Sequence, residues 1–141
     1  MTYTYAISGD DFGSAGAASS DIKKKLRQLG LPGVLIKRTA IAMYEAEINM
    51  VIHAGGGVTE VSVDPERITM EFRDEGPGIP DIELAMTEGW STASEKARQL
   101  GFGAGMGLPN IEKNVDHLEI DSVPGEGTTV RMTLEIGGAE P

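Results

Sequence analysis

Two pairs of alternating segments, each closed by a turn that only reverses the chain, constrain this sequence most. "GVTEVSVD" (57–64) and "RITMEFRD" (67–74) alternate apolar and polar residues across Asp64, Pro65 and Glu66. "LEIDSV" and "GTTVRMTLEI" do the same across "PGEG". Period-two alternation turns one face of each segment to a core, and turns this short join antiparallel neighbours. "TYTYAIS" (2–8) reads as a further strand. Between the strands the apolar period lengthens. Ile22, Leu26 and Leu29 predict one helix. A second runs from Pro32 to about Ala54, with Ile41, Tyr44, Ile48, Val51 and Ile52 on its apolar side and "GGG" (55–57) ending it. "PDIELAMTEG" reads as a short helix, residues 90–107 as a loop, and "LPNIEKNVDH" (108–117) as a helix on Leu108, Ile111 and Val115. The order predicts an α+β fold: a two-layer sandwich with a mixed, mostly antiparallel sheet and helices on one face, in a single domain over 1–141.

Composition narrows the functions. The chain has 141 residues, 40% of them hydrophobic, which suits one globular core. A formal net charge of -10 argues against nucleic-acid binding, which needs clustered Lys and Arg. With no cysteine, thiol chemistry and thiolate metal sites are excluded. The Met1 end has no basic and apolar leader pattern, and no apolar run is long enough for a bilayer, so the expected location is the cytoplasm with no membrane contact. Lys23, Lys24 and Lys25 read as a solvated helix face.

Three groups of residues carry candidate chemistry. Glu45, Asn49 and His53 are spaced i, i+4, i+8. Each step of four falls about 40° from alignment, so the three share a polar stripe on the second helix. Glu47 falls off that stripe and reads as solvent-facing. Asp74 ends a strand and is followed by Gly76 and Gly78, which allow a ligand to approach the backbone closely. "GFGAGMG" places glycines at 101, 103, 105 and 107 ahead of a helix. Backbone N–H groups there and the helix N-terminus form a natural phosphate cradle. No Lys follows the glycines, so this is not a Walker loop, and without a βαβ unit it is not a dinucleotide fingerprint.

The motifs "EAEINMVIHAGG", "DEGPGIPD", "GFGAGMGLPNI" and "GTTVRMTL", in this order, resemble the GHKL ATPase superfamily and its Bergerat ATP-binding fold. Within it the chain is most similar to small bacterial anti-sigma-factor serine/threonine kinases and stress-signalling switch kinases. The resemblance implies ATP and Mg2+ as cofactors and an ATP lid over about 88–107. It implies that Asn49 ligates Mg2+, that Glu45 orients or deprotonates the attacking hydroxyl, and that His53 occupies a further polar position. It implies that Asp74 receives the adenine amino group beside Gly76 and Gly78, and that Gly103, Gly105 and Gly107 lie near the phosphates. It implies that Thr129 completes the adenine pocket, with Thr128 as the neighbouring candidate. In that lid, Lys96 or Arg98 is a candidate to reach the γ-phosphate, the alternative for each being a solvated lid residue.

The implied function is a protein kinase that phosphorylates a STAS-domain antagonist protein, with a sigma factor as alternate partner, and acts by partner switching. A homodimer is also implied by the resemblance. The alternative is a non-catalytic, nucleotide-dependent module that sequesters a sigma factor or other regulator. A gyrase-type ATPase motor fits less well, because such enzymes couple hydrolysis to large additional domains.

Overall fold

Alternation along the strands becomes two unlike sheet faces. The computed structural model describes residues 1–8, 16–51, 56–75, 107–123 and 125–136. In chain order the described elements are β1 (Thr2–Ser8), α1 (Ala17–Gln28), α2 (Gly33–Asn49), β2 (Gly56–Val63), β3 (Arg67–Asp74), α3 (Gly107–Asn114), β4 (His117–Val123) and β5 (Gly127–Glu135). The strands form one sheet in the order β1-β2-β3-β5-β4. The sequence predicts a mixed, mostly antiparallel sheet; among the described residues each of the four strand pairings is antiparallel.

Ile68, Met70 and Phe72 on β3, with Met132 and Leu134 on β5, are fully or almost fully buried on the helix-facing side. Burying each such side chain contributes about 1.5–3 kcal/mol. The opposite face carries a charged ladder in which Arg131 bridges Glu71 and Glu119, and Arg73 also pairs with Glu71. Exposed ion pairs contribute about 0–1 kcal/mol each, so the apolar face decides which side of the sheet the helices cover. Ile22 and Leu26 of α1, Ala42, Met43 and Ala46 of α2, and Ile111 of α3 complete the core. Helix α2 packs against both α1 and α3. Among the described residues no helix is long and apolar enough to cross a membrane.

Several boundaries and faces differ from the sequence expectation. Leu29 caps α1 and is exposed, so Ile22 and Leu26 alone carry that helix's predicted stripe. The buried side of α2 runs through Leu35, Ile36, Thr39, Ala42, Met43 and Ala46, which turns Tyr44 outward. Small alanines at the centre let two neighbouring helices approach α2 closely, and hydrophobicity alone does not reveal that. The last helix stops at Asn114, and His117 opens β4 instead. The segment 80–89, "PDIELAMTEG", read as a short helix, lies outside the described residues.

Glu47 reverses its predicted role most sharply. It is 2% exposed. Its Oε2 accepts hydrogen bonds from the backbone N–H of Gly16 at 2.8 Å and Ala18 at 3.3 Å, and Oε1 accepts one from Ser19 at 3.2 Å. The first turn of a helix leaves its N–H groups without intrahelical acceptors. Gly16 has no side chain to cap α1, so a carboxylate from α2 does it across the layer. The positive end of the α1 dipole further favours an acidic group there. Of the lysine run, Lys23 and Lys24 are exposed as expected, whereas Lys25 donates to Asp21 at 2.7 Å.

Candidate functional site

Helix α2 presents Glu45 and Asn49 one turn apart near its C-terminal end. Glu45 is half-buried, and that burial raises its carboxyl above the ordinary value. A hydrogen bond from Asn110 Nδ2 to Oε2, 3.2 Å long, opposes the shift by favouring the ionised form. Asn49 is partly exposed and offers a carboxamide oxygen. His53 lies outside the described residues.

Asp74 ends β3 directly opposite Thr128 of β5. The Thr128 backbone N–H donates to Asp74 Oδ1 at 3.2 Å, which orients the carboxylate. Thr128 is itself buried, and its hydroxyl lies 2.9 Å from that of Ser122. Alternation puts Thr129 on the other face, opposite Arg73 and Asp121. Of the two candidate threonines, Thr128 is therefore the one sharing the face of Asp74. Gly76, Gly78, Gly103 and Gly105 lie outside the described residues, as do Lys96, Arg98 and residues 88–106 of the segment read as a lid. Gly107, the last glycine of "GFGAGMG", opens α3.

Two glycines bring these parts together. At Gly127 a Cβ would stand 2.2 Å from the Asp74 carbonyl oxygen, and the residue has φ +136. Only glycine permits β5 to begin this close to the end of β3. At Gly57 a Cβ would meet Arg73 O at 2.3 Å and Met50 Cε at 2.4 Å. Gly57 is thus the point where the end of α2, one residue past Asn49, meets the backbone just before Asp74. Gly127→Ala is expected to lower the unfolding midpoint by roughly 5 °C, read by calorimetry, because the strand must shift and the backbone is strained.

Helix α3 completes the arrangement. Its contacts with α2 run in opposite senses along the two helices: Asn110 meets Glu45, while Asn114 O accepts from Arg38 Nε at 3.1 Å. The Gly107 end of α3 is therefore directed toward the Asn49 end of α2. Arg38 also donates to Asp116 at 3.1 Å. The Glu135 N–H, and after it Arg38, hold the Asp116 carboxyl below its usual range. The C-terminal ends of α2 and β3, the start of β5 and the N-terminus of α3 thus converge. A carboxamide, a half-buried carboxylate, an oriented Asp and a helix N-terminus suit a ligand with an amino-bearing base and phosphates.

Sequence reasoning missed Asn110, Gly57 and Glu47, and passed over Gly127 within "GTT". A signal existed for Asn110. With Asn114 it forms an i, i+4 polar pair beside the buried Leu108 and Ile111, on the side that turns to α2.

The site and fold define a nucleotide-binding ATPase domain of the histidine kinase type. Residues 11–134 match the histidine kinase-like ATPase domain family, and the chain belongs to it. Among its relatives is the anti-sigma F factor of Thermoanaerobacter sp. (strain X514), 41% identical over 101 residues, which cover 68% of this chain and 67% of that protein. The serine/threonine-protein kinase RsbT of Bacillus subtilis (strain 168) is 32% identical over 109 residues, covering 74% of this chain and 76% of the relative. In fold the chain is similar to the RsbU and RsbW domains of Rv1364c from Mycobacterium tuberculosis, with a TM-score of 0.65 and 16% identity. That match covers 95% of this chain and 31% of the longer mycobacterial one. The mycobacterial sensor histidine kinase MprB shares the fold at a TM-score of 0.55 and 17% identity, covering 96% of this chain and 97% of the other.

Proposed function

We propose that this chain is an ATP-dependent serine/threonine protein kinase of the anti-sigma-factor type, working in the cytoplasm. Its substrate is a STAS-domain antagonist protein and its alternate partner a sigma factor, with phosphorylation choosing between the two complexes. The observation that carries the catalytic part is a half-buried carboxylate, Glu45, one helical turn from the carboxamide of Asn49. Both stand on a helix whose end meets the end of β3. The relatives named anti-sigma F factor and serine/threonine-protein kinase support the partner-switching part.

Phosphoryl transfer asks a protein mainly for positioning and charge stabilisation. Asp74, fixed by the Thr128 amide, accepts the hydrogen bond of the adenine amino group. Thr128 stands beside it, on the same face. Gly127 keeps the first residue of β5 clear of the Asp74 backbone, which a Cβ would displace. The N–H groups at the start of α3 face phosphate oxygens. Asn49 is the residue that would hold Mg2+, which when bound neutralises charge on the phosphates. Glu45 takes the proton of the attacking seryl or threonyl hydroxyl as that oxygen bonds to the γ-phosphorus and the bond to ADP breaks. A carboxyl raised above its usual value is a stronger base once ionised, and so better matched to a hydroxyl.

Two measurements test this reading. In a thermal shift, Mg-ATP or Mg-ADP at about 100 times its dissociation constant adds roughly 2.7 kcal/mol, a rise of several degrees. Asp74→Asn is expected to abolish most of that rise, because an amide nitrogen replaces an acceptor facing the base. In a transfer assay, label from γ-labelled ATP is expected on a serine or threonine of a STAS-domain protein. Label that stays on ATP, with the nucleotide-induced rise intact, would refute kinase activity.

A further inference from the structure

We propose that Asn110 is a positioning residue for Glu45, holding its carboxylate in the orientation from which it takes a proton. The inference rests on the reading of Glu45 as the base. Its own observation is the bond from Asn110 Nδ2 to Glu45 Oε2, 3.2 Å long, between residues of two helices that are 65 positions apart in sequence.

A glutamate on a helix surface has three side-chain torsions to restrain. Its position on α2 fixes where the side chain begins, not where its oxygens point. The amide of Asn110 supplies the missing constraint. Asn110 can do so because α3 is anchored independently of it. Leu108 and Ile111, on either side, are buried at 7% and 0% exposure. One turn on from Asn110, Arg38 secures the other end of the helix through Asn114 O, and it also binds Asp116 just beyond. The amide therefore approaches Glu45 from a rigid support, which is what a preorganised site requires. Asn110 is also only three residues from Gly107, the first residue of the helix. The helix end assigned to the phosphates and the group orienting the base thus belong to one rigid element. A displacement of α3 by nucleotide would move both together.

The test is a double-mutant cycle on the full chain. One readout is release of labelled phosphate from γ-labelled ATP in a single turnover, with water standing in for the protein hydroxyl. The others are the Mg-ADP dissociation constant and the unfolding midpoint. Asn110→Ala is expected to slow release by about 10- to 100-fold, the range seen when a group orienting a reactive residue is lost. Mg-ADP affinity should stay within about threefold and the midpoint within about 3 °C, since the anchors of α3 are untouched. In the Glu45→Ala background, Asn110→Ala should slow release no further. Asn110→Asp has the same shape but no donor and adds a like charge, so it is expected to lose at least as much as Asn110→Ala.

A second readout needs no turnover. The side-chain amide resonances of Asn110 should shift in Glu45→Gln. Unmoved resonances overturn the proposal alone. So does a wild-type rate in Asn110→Ala while Glu45→Ala is slow, or losses that simply multiply. A rate unaffected by Glu45→Ala, with Mg-ADP bound normally, overturns the reading of Glu45 as base and this proposal with it.

Discussion

Replacing Glu47 by alanine is expected to lower the unfolding midpoint by about 10–15 °C, with nucleotide binding following the loss of fold. The side chain is 2% exposed and accepts three backbone N–H groups at the start of α1. Truncation leaves those donors without partners in the protein interior, each costing about 1–3 kcal/mol where water cannot enter. Partial entry of water into the vacated space reduces the total to roughly 3–4 kcal/mol, more than a typical cap replacement. Each kcal/mol moves the midpoint by about 3–5 °C in a chain of this size. Glu47→Gln should lie between wild type and alanine, because one amide oxygen still accepts while the NH2 group faces donors. Calorimetry on the three proteins measures this. A drop below about 2 °C in Glu47→Ala would mean that the cap contributes little.

Glu45→Gln is expected to slow phosphoryl transfer by about 10²–10⁴-fold, the usual range for losing a positioned base. Nucleotide affinity should hardly change, because Asp74, Thr128 and Gly127 are on other elements. Stability should respond in the opposite direction from Glu47. Burial raises the Glu45 carboxyl above its ordinary value, so the folded chain retains this proton more strongly than the unfolded one. Stability therefore falls as pH rises through the window between the unfolded and the raised folded value, and stays lower above it. Glutamine cannot ionise, so the variant should match or exceed wild type in unfolding midpoint at neutral pH. The difference should vanish below the carboxylate range. A slow but slightly more stable enzyme is the signature of a catalytic group held at some cost to the fold. Transfer at the wild-type rate in Glu45→Gln would remove Glu45 from the chemistry.

These two glutamates, two residues apart on one helix, also mark the limit of sequence reading. The stripe argument distinguished them by angle, and the angle was right: Glu45 and Glu47 do face different neighbours. The stripe could not say which neighbours. Glu47 points at the N-terminus of α1, some 30 residues earlier in the chain, and only the packing of α1 on α2 creates that destination. The same holds for Asn110, whose partner lies 65 residues away. Thr128 and Thr129 were both legible as candidates beside Asp74. Choosing Thr128 requires the β3–β5 register, since moving one residue along a strand changes sheet face.

Alternation and turn length, by themselves, determined the strands, the antiparallel hairpins and the side of the sheet that would be covered. These depend on local periodicity and on the cost of exposing apolar surface. The order of the motifs that carry Glu45 and Asn49, Asp74 and the glycines carried the resemblance to the family that the chain matches over residues 11–134. The tertiary structure decided which polar groups find partners. Burial of Glu47, the orientation of Glu45 by Asn110, and the close approach that needs Gly127 each arise where two distant segments meet. Desolvation and hydrogen-bond geometry act between such segments, so no window along the chain contains both terms.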